Sequence, residues 1–189
     1  MIAPNIGLVS EIDHRPRASI FPDGSVEGYA SLFGEIDQSR DMVMPGAFTQ
    51  SLKLRGARKV PMLFQHDASE PIGIWLDLKE DWRGLRVQGR LIPEVVRARE
   101  LLALLREGAA DGLSIGFKTV KARVDPKTRI RKLHQIDLWE ISIVTFPLLP
   151  GARVRAVKQA RPSTLAAPAR ARERALTKDV RDLFRNGWR

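Results

Sequence analysis

The chain has 189 residues, 43% hydrophobic and 29% charged, which is enough for one domain with a real core and too little for two full-sized domains. It has no cysteine, so disulfides, thiolate metal sites and a cysteine nucleophile are excluded, and no run approaches the roughly 18 apolar residues of a membrane-spanning helix. Residues 1–10 also lack the basic start and apolar centre of a secretion signal.

The net charge of +10 raises nucleic acid or an acidic protein surface as a partner. Its distribution argues against nucleic acid. Residues 161–189 hold eight Lys/Arg against three Asp/Glu, so half of the excess sits in a short tail, and no aromatic-basic motif of a known nucleic-acid module accompanies it.

In chain order, residues 17–34 read as a hairpin around Pro22, Asp23, Gly24 and Ser25. A polar loop leads to Pro45, suited to a first helical position, and a short helix over 47–54. Residues 60–66 look extended. The alternations at 72–78 and 85–92 form a second hairpin across Asp81, Trp82, Arg83 and Gly84.

Pro93 and Glu94 open the clearest helix, with Val95, Ala98, Leu101, Leu102 and Leu105 on one face and Gly108 placed to stop it. Strands follow at 113–124, 130–136 and 138–146, with a turn at Asp125 and Pro126. Roughly seven strands, mainly antiparallel neighbours, and two or three helices predict an α+β, mainly β architecture: a closed or partly closed antiparallel barrel flanked by helices. The folded body is expected over 1–158. An Ala, Arg, Pro and Ser-rich linker follows at 159–170, and a basic amphipathic helix or solvated tail at 171–189, with Leu176, Val180, Leu183 and Phe184 at helical spacing.

Three residues place polar groups where the pattern asks for apolar ones. His66 ends the run Pro61, Met62, Leu63, Phe64, and it suits either a structural role or a general base. Ser114 lies between Gly112 and Gly116 on a strand. That is the spacing of the G-x-S-x-G elbow without its strand-to-helix setting, so the serine reads as a nucleophile or as a small residue making room for a neighbour.

Glu140 interrupts Leu138, Trp139, Ile141, Ile143 and Val144, and a buried carboxylate needs a partner, either an arginine or a catalytic histidine. Alternation puts Glu140 and Ser142 on one face and Trp139, Ile141 and Ile143 on the other. Together, Ser114, His66 and Glu140 supply the nucleophile, base and anion that serine acyl transfer requires, with no metal or cofactor expected.

The chain resembles the HK97-type phage prohead proteases. The matching residues are Glu27-Gly28-Tyr29-Ala30-Ser31-Leu32-Phe33, Asp41 through Pro45-Gly46-Ala47-Phe48, Leu63-Phe64-Gln65-His66-Asp67, Gly112-Leu113-Ser114-Ile115-Gly116-Phe117, and Leu138 through Glu140 to Pro147. The resemblance implies a fold similar to the herpesvirus assemblins, in which a second histidine holds the third triad position, here Glu140.

It also implies a serine endopeptidase packed inside the immature capsid in the bacterial host cytoplasm. Such an enzyme cuts the capsid protein's scaffold-like segment and itself; a gene-transfer agent would carry the same kind of enzyme. The partners implied are the major capsid protein, the portal protein and further copies of the chain. The resemblance identifies no oxyanion hole, for which the Gly116 backbone and the 150–153 turn are the candidates in the sequence. The rival expectation is a non-enzymatic scaffold or assembly chaperone docking through the basic helix.

Overall fold

The computed structural model divides the chain into two units, Met1–Gln159 and Ala160–Arg189. It describes residues 24–155, all within the first. The expected strand before Gly24, the 159–170 linker and the 171–189 helix lie outside the described residues.

Eight strands form one sheet: β1 (Ser25–Leu32), β2 (Asp41–Val43), β3 (Pro61–Phe64), β4 (Asp67–Glu80), β5 (Gly84–Leu91), β6 (Gly112–Val124), β7 (Arg131–Val144) and β8 (Val154–Arg155). Two helices accompany them, α1 (Thr49–Arg55) and α2 (Val96–Glu107). The sheet runs β2-β7-β3-β4-β5-β1-β8, with β6 also paired to β7.

The axis of this arrangement is β7. Along its whole length it pairs antiparallel with β6, while β2 and β3 pair parallel with its two ends. Because β6 occupies one edge, β2 and β3 share the other. The mainly antiparallel, partly closed barrel expected from the sequence is what forms, and the two parallel pairs that make the sheet mixed leave no hairpin signature in sequence. The strand expected in two pieces around Asp137 is one 14-residue element.

The sheet curls into a partly closed barrel whose seam is bridged by residues 152–155. On one side β8 pairs with β1; on the other, Leu113 N–H donates to the Ala152 carbonyl at 2.9 Å and Val154 N–H to the Asp111 carbonyl at 2.8 Å. The seam requires Gly28, because a Cβ there would sit 2.3 Å from the Arg153 carbonyl oxygen.

The second hairpin forms as expected across residues 81–84, where the Asp81 carboxylate accepts the N–H groups of Arg83 and Gly84. Helix α2 buries Ala98, Leu101 and Leu105 and ends at Gly108 in the left-handed region, φ 73°. Helix α1 begins later than expected. Gly46 at φ 87° turns the chain after Pro45, and Ala47 and Phe48 plunge into the core first. Helical residues then start at Thr49, where the Glu80 carboxylate on β4 accepts the Phe48 N–H and the Thr49 hydroxyl.

Asp41, buried on β2, takes two hydrogen bonds from the guanidinium of Arg131, its partner in register on β7. This satisfies a carboxylate that burial would otherwise penalise. The core around the sheet includes Trp75, Met62, Phe48, Leu101 and Leu138, each fully buried.

Closure at the seam is a steric requirement, so Gly28→Val should lower unfolding stability by roughly 1–3 kcal/mol, the usual cost of overpacking. Urea unfolding followed by tryptophan fluorescence measures it, and an unchanged midpoint would contradict the close approach.

Candidate functional site

Two strand ends and a turn assemble the site. Strand β3 stops at Phe64, and Gln65 and His66 form the two-residue loop into β4, closed by the Phe64–Asp67 pair. Both loop residues have positive φ, 53° and 62°, the signature of a type I′ turn that Asn-Gly ordinarily supplies. Left-handed backbone at a non-glycine residue costs about 1–3 kcal/mol and persists only where the surroundings impose it.

Here β7 imposes it. Gln65 N–H donates to the Ile143 carbonyl at 3.1 Å, His66 N–H donates to the Ser142 hydroxyl at 3.1 Å, and the Gln65 side-chain amide donates to the Thr145 hydroxyl at 2.7 Å. The expected extended stretch over 60–66 is thus corrected at its end. His66 sits in a turn.

From that turn His66 Nδ1 lies 2.6 Å from Glu140 Oε1, and the carboxylate's other oxygen accepts the Ser142 hydroxyl at 2.7 Å. Glu140 is 14% exposed at its side chain and His66 43%, so the carboxylate is enclosed while part of the imidazole stays open to an incoming molecule. The hydrogen bond from Glu140 raises the His66 pKa above the ordinary imidazole value against the opposing effect of burial, and the carboxylate's charge adds to the rise. Of the partners anticipated for Glu140, histidine is the one it has among the described residues; no arginine ion-pairs with it there.

Room for the carboxylate comes from Gly116, directly opposite Glu140 on β6, where a Cβ would sit 2.2 Å from Oε1. This is the physical reason for the second glycine of the Gly112-to-Gly116 segment. The expected alternation along β7 fails at one residue. Gly116 pairs with Glu140 but Phe117 pairs with Leu138, so Trp139 bulges out of the ladder, half exposed, with its indole N–H on Asp137. The bulge lets Leu138 as well as Ile141 enter the core on either side of Glu140.

Ser114 pairs in register with Ser142, one strand over from the histidine turn. Opposed residues of an antiparallel pair project from the same face with Cβ atoms about 4.5–5.5 Å apart, which puts Ser114, Ser142 and Glu140 together on one surface of the sheet. Among the described residues no hydrogen bond joins Ser114 to His66. Resting sites commonly hold this contact loosely until substrate arrives.

Ser114 also lines a small pocket of about 40 Å³ together with Leu32, Glu35, Asp37, Leu133 and Leu149. Of the two regions suggested for an oxyanion hole, the 150–153 turn has its Arg153 side chain committed to the Asp111 carboxylate and the Pro150 carbonyl. Sequence reasoning placed Ser142 beside Glu140 but missed its contact with His66. Parallel pairing of β3 with β7 creates that contact.

Comparison with known proteins identifies the family. The profile of the Caudovirus prohead serine proteases matches residues 13–166. The chain is 41% identical over 138 residues to the prohead protease of Enterobacteria phage HK97, covering 71% of this chain and 60% of that protein. It is 29% identical over 123 residues to the prohead protease of Escherichia phage T5, covering 65% and 57%.

A third relative is the capsid polyprotein of Pseudomonas phage PAJU2, 28% identical over 128 residues, with 65% of this chain and 18% of that protein covered. The chain therefore spans less than two thirds of the length of the curated relatives it matches. Among solved structures, the capsid assembly protease of bacteriophage T4 superposes with a TM-score of 0.55 at 14% identity, covering 65% of this chain and 82% of that one. The KSHV protease superposes with a TM-score of 0.52 at 14% identity, covering 82% and 76%. These two likenesses speak for the fold alone. With the curled mixed sheet in place and a family profile running through all eight strands, the chain belongs to the Caudovirus prohead serine proteases.

Proposed function

We propose that the chain is a serine endopeptidase of capsid maturation in which Ser114 is the nucleophile, His66 the general base and Glu140 the anion that orients and charges the base. The observation that carries this reading is the 2.6 Å contact between His66 Nδ1 and Glu140 Oε1, one strand from a buried serine. A neutral serine attacks an amide poorly at neutral pH, so the reaction needs a neutral imidazole nitrogen to take its proton. With Nδ1 held by the carboxylate, Nε2 is the atom left for that task.

In the first half-reaction Ser114 Oγ adds to the scissile carbonyl carbon as its proton passes to Nε2. Glu140 stabilises the imidazolium, which then protonates the leaving amine as the C–N bond breaks. Water hydrolyses the resulting ester by the same route in reverse. The Ser114 pocket, apolar on most of its wall, suits a small substrate side chain beside the scissile bond.

The substrates fitting this reading are the major capsid protein with its scaffold-like segment, and the chain itself, cut inside the immature prohead. The relatives named prohead proteases support that assignment, as does the capsid polyprotein. A purely structural scaffold would leave the enclosed imidazole–carboxylate pair without a task.

Ser114→Ala should abolish processing, a loss on the order of 10⁶-fold in turnover, with the fold retained. Coexpression with the major capsid protein and intact-mass measurement of both chains decides it. Normal cleavage by the variant removes Ser114 from the mechanism.

The raised His66 pKa sets a pH dependence. The base must be neutral, so activity falls as pH drops through that value, and the acid limb of the wild-type profile lies above the ordinary imidazole value of about 6.5. Glu140→Gln removes the groups that raise the pKa and leaves burial to lower it. Its acid limb should move to lower pH while the plateau falls by up to about 10⁴-fold. A profile that keeps its acid limb would separate Glu140 from the base.

A further inference from the structure

We propose that Ser142 is a positioning residue of this site, fixing the histidine and the carboxylate relative to each other without touching substrate; the proposal rests on the Ser114, His66 and Glu140 reading. Ser142 is fully buried between Ile141 and Ile143 on β7. Its hydroxyl accepts the His66 backbone N–H at 3.1 Å and donates its own proton to Glu140 Oε2 at 2.7 Å. With the His66 Nδ1 contact to Oε1, these bonds close a ring of three: backbone to hydroxyl, hydroxyl to carboxylate, carboxylate to imidazole.

A serine hydroxyl has one proton to give, and spending it on Oε2 leaves Oε1 as the oxygen that faces the ring. The Ser142 hydroxyl oxygen also holds the backbone of His66, whose φ of 62° needs external support. The remaining pins on the turn, from Ile143 and Thr145, reach Gln65 and not the carboxylate. Among the described residues Ser142 alone bonds to both His66 and Glu140, and it is also the register partner of Ser114. One side chain thereby sets the geometry of the base and its anion, from a position whose backbone pairs with that of Ser114.

A matched pair of variants isolates the hydroxyl. Ser142→Thr and Ser142→Val add nearly the same volume, and only threonine keeps the oxygen. The probe is an alkyl fluorophosphonate. Its phosphorus bonds to Ser114 Oγ, fluoride leaves, and the serine proton passes to His66, so nucleophile activation is read without a peptide substrate. The valine variant is expected to lose roughly 10- to 100-fold in the maximal labelling rate, with half-saturating probe concentration unchanged, and threonine to stay within about fivefold of wild type. Proton NMR of the full chain should show a low-field Nδ1–H resonance in wild type and threonine variants that is lost in valine.

Equal labelling rates for threonine and valine, or a low-field resonance that persists in valine, overturn the proposal. Ser142→Ala serves as a second hydroxyl-free variant. If neither it nor valine folds while threonine does, Ser142 is a folding residue and the proposal falls. The catalytic reading fails separately: wild-type chain that does not label at Ser114 refutes the nucleophile, while the resonance still reports whether Ser142 orders the pair.

Discussion

A carboxylate placed in an apolar strand needs partners for its charge, because an unpaired buried ion costs several kcal/mol. Glu140 meets that need with one oxygen on an imidazole and the other on a hydroxyl, and much of the surrounding structure follows from the arrangement. Gly116 leaves its side-chain space to the carboxylate, the bulge at Trp139 resets the ladder beside it, and Ser142 supplies the hydroxyl on its second oxygen. The histidine can arrive only if β3 lies parallel against β7 and its turn is forced into a left-handed conformation. Each of these is a local cost that the closed network offsets.

The T4 capsid assembly protease and the KSHV protease share this architecture at 14% identity, so the curled sheet is held by its pattern of burial more than by particular residues. Within the site, the Glu140 carboxylate hydrogen-bonded to His66 favours the protonated imidazole and so acts directly on the proton affinity of the ring.

Much of the fold was legible from short-range signals. The β4–β5 hairpin announced itself by alternation around an Asp-to-Gly turn, and α2 by its apolar face and its stop at Gly108. Family resemblance singled out Ser114, His66 and Glu140 together, and burial logic singled out Glu140 independently. Long-range pairing was not legible. Nothing near His66 says that β3 pairs parallel with a strand more than 70 residues away, because parallel partners are chosen by the whole sheet. The Gln65–His66 turn was hidden for a related reason: neither residue is a turn former, and the conformation is imposed by hydrogen bonds from β7. Trp139 defeated the alternation argument because a bulge adds one residue to one strand, and the sequence of that strand alone does not mark it.

The order in which the strands meet has a consequence for the nascent chain. His66 and Glu140 are 74 positions apart, and among the described residues the seam between β1 and β6 is bridged by residues 152–155. Synthesis runs from the amino terminus, so β1 waits for its last partner until almost the whole barrel has been made, and the imidazole has no carboxylate until β7 emerges. A ribosome-bound fragment ending before residue 140 carries the serine and the histidine but no anion to hold the imidazole. This topology delays the assembly of the proposed hydrolytic centre until the body that encloses it is nearly complete.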